Sequence, residues 1–377
     1  MIDARKMLGT IVVFICAITG CGAPARAEPA PIVAATPRAD GLSAPQIATL
    51  ESLKQVDDHP LYTMRYVGAY TAHAPLGSVI AGEAKQSPNR NAEIASSQNP
   101  FLATLAPYAS AGVTTPAWAC SLFAALGDAS NMLYWRNFDW DPSPAVLLFT
   151  EPPDGYASVS MVDIAFLGFA GARANDITNL SLAERRALLR APSLPFDGMN
   201  VRGLVVGMAA VPPGNMPRDP TKRTIGSLGV IREMLDHAAT VDEAVALVQG
   251  YNIDFVGGPP VHYLVADATG RAALIEFHQG KMYVILNETA WHHATNFLRS
   301  SVEDAEGKCW RYDTLTRQLA IAWGRSTLSD AMKWLQEVSQ NGTQWSIVYG
   351  MSAGEIRVTM GRHYDRAHAF QLKMGSK

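Results

Sequence analysis

One of the chain's four cysteines, Cys120, opens a stretch whose residue types can do acyl chemistry. Residues 116–140 read PAWACSLFAALGDASNMLYWRNFDW. An apolar run follows Cys120, a turn occupies Gly127-Asp128-Ala129-Ser130-Asn131, and a second apolar run ends in Arg136-Asn137-Phe138-Asp139-Trp140. This pattern predicts a β-hairpin with Cys120 at the start of its first strand. A hairpin of that length returns Arg136 and Asp139 to the side of Cys120. A thiol, a guanidinium and a carboxylate gathered at one sheet end form a site suited to attack on a carbonyl.

The elements that must hold this site follow from apolar periodicity. Residues 48–70 are expected to be helical, with Leu50, Leu53, Val56 and Leu61 as apolar positions. Strands are expected over 145–150, 156–169 as a pair, 204–211, 261–266, 272–277 and 282–286, with a last hairpin over 345–350 and 355–360. Helices are expected over 181–190, as a pair within 224–250, and over 310–323 and 328–339. The second of the pair starts with Thr240 and Glu243 in a capping box. Consecutive hairpins separated by helix pairs predict an α+β fold of antiparallel sheets covered by helices. Residues 204–211 are apolar throughout, as in a strand buried on both faces.

Composition limits the alternatives. The net charge is -3 and 48% of the residues are hydrophobic, so a core is ample and no basic stripe argues for nucleic acid. Arg5, Lys6 and the short apolar run 7–18 form a targeting segment, residues 1–20, too short for a stable span. Its end has two readings. Ile18-Thr19-Gly20-Cys21 resembles a lipobox that would make Cys21 a lipidated first residue, while Ala25-Arg26-Ala27 fits cleavage after Ala27. Both put the protein in a bacterial envelope, periplasmic or lipid-anchored in the membrane. Residues 21–47 are an Ala/Pro-rich linker, 48–119 a helical propeptide or small-chain module, and 120–377 the catalytic domain. Once the leader is set aside, Cys120 and Cys309 remain; they either pair in a disulfide or leave Cys120 reactive and Cys309 structural.

Neither a metal nor a cofactor is expected. His292 and His293 are adjacent in a strand and point to opposite faces, and the spacing of His363 and His368 aligns them on neither a strand nor a helix. The chain has no glycine-rich phosphate loop and no G-x-S-x-G elbow.

Cys120, with Arg136 sixteen and Asp139 nineteen positions later inside RNFDW, resembles the opening of the linear amide C–N hydrolases. That group of N-terminal nucleophile (Ntn) hydrolases includes choloylglycine hydrolase, penicillin V acylase, acid ceramidase and isopenicillin N acyltransferase. Thr295-Asn296 sits where the group carries an oxyanion-binding Asn after a strand, and Arg311 where it carries a second active-site Arg. The resemblance covers about residues 116–360. It implies a four-layer αββα fold with two stacked antiparallel sheets between helical layers. It implies Cys120 as nucleophile, exposed by cleavage of the Ala119–Cys120 bond, with its own α-amine as base. An α-amine titrates near roughly 7.7–8.0 and a thiol near about 8.5, so a proton can pass between them around neutrality. Arg136 would hold the thiolate and the acid, Asp139 would orient the α-ammonium, Asn296 would donate to the oxyanion and Arg311 would complete the charge network. One departure stands out. In choloylglycine hydrolase a second Asn lies ten residues after an Asn-x-x-Gly turn; here the corresponding turn is Asn200-Val201-Arg202-Gly203 and the tenth position is Ala210.

The leading expectation is an exported, self-processing amidase acting on an N-acyl small molecule. Acyl transfer to an amine is the second enzyme reading. A non-catalytic envelope lipoprotein that binds a partner through an inactive copy of the fold is the third. The acyl group, the amine and the oligomeric state are not legible in the sequence.

Overall fold

The computed structural model describes residues 41–70 and 119–375. The targeting segment 1–20, Cys21, the cleavage position after Ala27, most of the 21–47 linker and residues 71–118 of the upstream module lie outside the described residues.

Two stacked sheets carry the described chain. The smaller is antiparallel throughout, in the order β14-β3-β4-β15-β16-β17. Its strands are β3 (Ser121–Ala125), β4 (Leu133–Asp139), β14 (Trp291–Ala294), β15 (Thr343–Gly350), β16 (Glu355–Met360) and β17 (His368–Gln371). The larger runs β1-β2-β5-β6-β7-β8-β11-β12-β13. It is built from β1 (Lys54–Asp57), β2 (Leu61–Tyr66), β5 (Ala145–Thr150), β6 (Ser158–Asp163), β7 (Asp197–Asn200), β8 (Val205–Ala210), β11 (Val261–Ala266), β12 (Ala272–His278) and β13 (Lys281–Leu286). A short parallel pair, β9 (Arg223–Gly226) and β10 (Tyr251–Asp254), stands apart.

Helix α1 (Ala44–Glu51) comes first among the described residues. Helices α2 (Ser227–His237) and α3 (Val241–Gln249) cover the outer face of the larger sheet, and α4 (Trp310–Ile321) and α5 (Leu328–Glu337) cover the smaller. The layer order is therefore αββα, as the resemblance implies. Residue alternation explains why both faces of the central hairpin are apolar. Leu122, Ala124 and Tyr134 join the core between the sheets, whereas Phe123, Ala125, Leu133 and Trp135 pack against Leu315, Leu319 and Leu335 of the helices. The Tyr134 hydroxyl crosses between the sheets to donate to the Leu264 carbonyl at 3.0 Å.

Three local expectations need correction. The helix expected over 48–70 ends at Glu51, and residues 54–66 form the β1–β2 hairpin. Pro60 could not sit inside a helix, and Leu61 to Tyr66 alternates as a strand; the apolar positions were shared between two element types. The helix itself begins at Ala44, capped by a Ser43/Gln46 box. Residues 156–169 are one strand, β6, followed by a 3-10 turn over Ile164–Leu167, because the Asp163 carboxylate accepts the Ala165 N–H. In the larger sheet β2 pairs with β5 in parallel, so that sheet is not wholly antiparallel.

Candidate active site

The β3–β4 hairpin forms as expected, with Cys120 immediately before β3. Its register sets Leu122 opposite Arg136 and Ser121 opposite Asn137, which returns the end of β4 to Cys120. Cys120 and Arg136 lie on the face toward the larger sheet, and Arg136 Nη2 donates to Cys120 Sγ at 3.4 Å. Both side chains are buried. Burial pushes the Cys120 thiol up from its ordinary range; Arg136 and Arg311 pull it back toward the thiolate, while the Asp139 charge opposes them.

Arg136 departs from expectation in its carboxylate. Its ion pair is with Asp197 at the start of β7, Nη1 to Oδ2 at 3.1 Å, and Nη1 also donates to the Phe196 carbonyl at 2.9 Å. Asp197 accepts further from the Tyr349 hydroxyl and the Trp345 indole N–H. A fully buried guanidinium thus meets a fully buried carboxylate across the two sheets, and the remaining lone pairs are filled by aromatic donors.

Asp139 projects on the other side of β4, beside a register shift opposite Thr343 and Trp345. It accepts from the Thr343 hydroxyl and from Gln340 Nε2, the latter at 2.9 Å. Burial raises its pKa above the usual carboxylate value, against the pull of those two donors and of Arg311 and Arg136.

Arg311 lies in the first turn of α4 and is buried. Its Nη1 donates to the Ala119 carbonyl at 2.8 Å, to the Cys120 carbonyl, and to Ser121 Oγ at 3.0 Å. Its Nη2 donates to Asn296 Oδ1 at 3.2 Å. Asn296 follows β14 and gives one amide hydrogen to the Ala210 carbonyl at 2.8 Å; a side-chain amide nitrogen carries two. The structure thus gathers all five residues singled out from the sequence into one network, with Asn296 joined to Cys120 through Arg311.

The loop bearing Asn296 is held from the larger sheet. Glu276 of β12 is fully buried and accepts from the backbone N–H groups of Arg299 and Ser300, both at 2.8 Å, from the Ser300 hydroxyl, and from His262 at 2.9 Å. Burial alone would raise its pKa, but the His262 and Ser300 hydrogen bonds win and hold it at about 2.

Cys120 also borders a cavity of about 380 Å³. Phe138, Trp140, Phe166, Leu194, Phe196, Met208, Leu228 and Val261 make most of its wall apolar, with Arg190 and Asp254 as charged members. Ala210, which stands where the resemblance would place a second Asn, is also part of this wall.

The other residues considered go elsewhere. Asn200 is structural: Nδ2 donates to the Leu235 and Ala238 carbonyls and Oδ1 accepts the Arg202 and Leu204 N–H groups. Gly203 completes that turn at φ +79°, where a Cβ would meet the Met351 carbonyl oxygen at 2.6 Å. His292 bonds the Ile285 carbonyl and His293 the Thr316 hydroxyl, on opposite sides of β14. His368 contacts Asp57 at 2.6 Å, and His363 lies edge-on to His59. Cys120 and Cys309 are both free thiols, so the disulfide reading does not hold.

Sequence reasoning did not find Asp197, Gln340, Thr343 or Glu276. Asp197 stands as a lone acid before an apolar strand, which is the one signal available. Gln340 lies in the turn before β15 and Thr343 is that strand's first residue, with no pattern to distinguish either.

Residues 195–346 match the family model described as acyl-coenzyme A:6-aminopenicillanic acid acyl-transferase. The chain resembles the linear amide C–N hydrolase group of Ntn hydrolases. Solved structures that resemble it include a variant of conjugated bile acid hydrolase from Clostridium perfringens, at 14% identity over 68% of this chain and 93% of that one, with a TM-score of 0.48. Penicillin V acylase from Agrobacterium tumefaciens is 13% identical over 64% of this chain and 83% of that one, with a TM-score of 0.41. No curated protein matches.

Proposed function

We propose that the protein is a self-processing amidase that hydrolyses a linear, non-peptide amide of an N-acyl compound through an acyl-thioester on Cys120. The observation that carries this reading is the Cys120 sulfur itself, 3.4 Å from a buried guanidinium and bordering an apolar cavity. An apolar cavity favours an acyl group by about 0.8 kcal/mol per buried methylene, and the cation favours the thiolate that attacks its carbonyl.

Cleavage between Ala119 and Cys120 makes the α-amine that serves as base, and Asp139 orients it through a charge-assisted hydrogen bond. Arg136 steadies the thiolate with Asp197 behind it. Asn296 offers its second amide hydrogen to the oxyanion, a contact worth roughly 3 kcal/mol in comparable sites. Arg311 holds Asn296 by its oxygen and so aims that donor. The part of the chain before Cys120 stays attached as a small chain, because β2 is paired with β5 inside the larger sheet and the Tyr62 hydroxyl donates to the Ala174 carbonyl at 2.7 Å. Export to the envelope, with or without a lipid on Cys21, is part of the proposal and rests on residues 1–27 alone.

Acyl transfer to an amine is the second reading, favoured by the family model matched over residues 195–346; the same thioester serves both. Incubating the protein with a panel of N-acyl amides should leave an acyl adduct on the fragment beginning at Cys120, seen by intact mass, and Cys120→Ala should abolish adduct and turnover. Free acid as the product whether or not amines are added supports hydrolysis, and new amides in their presence support transfer. Turnover by Cys120→Ala would overturn both.

A further inference from the structure

We propose that Gln340, together with Arg311, forms the oxyanion hole of the self-cleavage step, distinct from the Asn296 donor that serves the external substrate. This rests on the self-processing reading above. The carbonyl oxygen of Ala119, the residue whose carbonyl the thiol attacks, accepts Arg311 Nη1 at 2.8 Å and Gln340 Nε2 at 2.9 Å. Two side chains, brought from 192 and 221 residues away in sequence, converge on that one oxygen.

Gln340 is held for this task on its far side. The same Nε2 gives its other hydrogen to Asp139 Oδ2 at 2.9 Å, and the Gln340 backbone N–H donates to Thr343 Oγ1 at 2.9 Å. Thr343 in turn donates to Asp139. The amide is therefore anchored by the acid that later orients the α-ammonium. Asn296 is absent from this arrangement: its nitrogen contacts the Ala210 carbonyl and its oxygen contacts Arg311.

The chemistry balances without another reagent than water. Cys120 Sγ bonds to the Ala119 carbonyl carbon, and the carbonyl electron pair moves to the oxygen between Gln340 and Arg311. That pair then returns, the C–N bond breaks with its electrons going to the Cys120 nitrogen, and this nitrogen takes the proton given up by the thiol. The product is an Ala119 thioester and a free α-amine. Water adds to the thioester carbon, one of its protons goes to the leaving sulfur as the C–S bond breaks and the other to the new α-amine, and the Ala119 carboxylate and the Cys120 thiol are released. Preorganised donors at the developing oxyanion typically contribute about 10²–10³ in rate.

The test uses the full-length chain, with cleavage followed by intact mass and folding by thermal unfolding. Gln340→Met keeps the side-chain length and removes the donor. It is expected to slow cleavage about 100-fold, with a lowered unfolding midpoint from the lost Asp139 hydrogen bond but a chain that stays folded at the assay temperature; a purely structural residue would move the midpoint and leave the rate. Gln340→Ala provides the same reading should the Met variant fail to fold. Cleavage of a folded Met or Ala variant within about threefold of the wild-type rate would overturn the proposal, threefold being far below a donor's usual contribution. A wild-type chain that stays whole while it turns over substrate is a different result, and it would sink self-processing itself.

Discussion

Two walls meet at the Cys120 sulfur, and they are built by opposite rules. The end of the smaller sheet and its helices supply Arg136, Asp139, Arg311 and Gln340, each tied to a named partner. The larger sheet and its connections supply the apolar side chains of Phe166, Leu194, Phe196, Met208 and Val261, which line the cavity. In the first wall every buried charge must have its counterpart, since an uncompensated one costs several kcal/mol. In the second, shape alone is specified, and hydrophobic residues of about the right volume suffice. On the proposed function, the polar wall fixes the reaction and the apolar wall fixes which acyl group reaches it.

The largest effect should follow from breaking the polar wall. Arg136→Leu leaves Asp197 buried without its cation, and denaturant unfolding should show a loss of roughly 3–5 kcal/mol. Residual folded enzyme should lose at least about a hundredfold in kcat. A kcat near wild type would mean that the guanidinium serves the core and not the sulfur.

How much of this contrast the sequence carried follows from the same rules. Cys120 and RNFDW lie within one hairpin, so their chemistry and their proximity are written close together. Asp197 and Gln340 reach the site from 61 residues beyond Arg136 and 221 beyond Ala119, through folding that a local pattern does not encode. The apolar wall is invisible for another reason: Met208 or Phe196 in a cavity reads like any core residue. The β1–β2 hairpin was missed because Leu50, Leu53 and Leu61 fit a helix as readily as a helix followed by a strand, and only Pro60 argued otherwise.

Glu276 sharpens the comparison, since it is a charge supplied by the larger sheet. Its pKa is lowered to about 2 in the folded protein from an ordinary 4.5, so its contribution is complete above the unfolded value and is lost as pH falls from about 4.5 to about 2. Glu276→Gln should cost about 3 kcal/mol at pH 7 and flatten that acid limb in denaturant titrations across pH. Its kcat should fall while KM changes little, because the loop carrying Asn296 loosens and the cavity does not. An unchanged acid limb would remove Glu276 from the account.

Met208→Ala probes the apolar wall, at a cost of roughly 2 kcal/mol in stability. Enlarging the cavity should move the preference toward longer acyl groups, by about fourfold in kcat/KM per added methylene accommodated. Specificity that does not move would place the acyl group elsewhere. The smallest effect is expected at the seam between the upstream segment and the rest. His368→Ala removes the contact to Asp57 and should cost about 0.5–1 kcal/mol, read as easier release of the small chain on a sizing column in dilute denaturant.

The most direct measurement is the intact mass and first residue of the purified protein while it is turning over an N-acyl amide. The expected result is two species that copurify, the larger beginning at Cys120 and carrying all the activity. A full-length chain with the Ala119–Cys120 bond intact and undiminished turnover would contradict it.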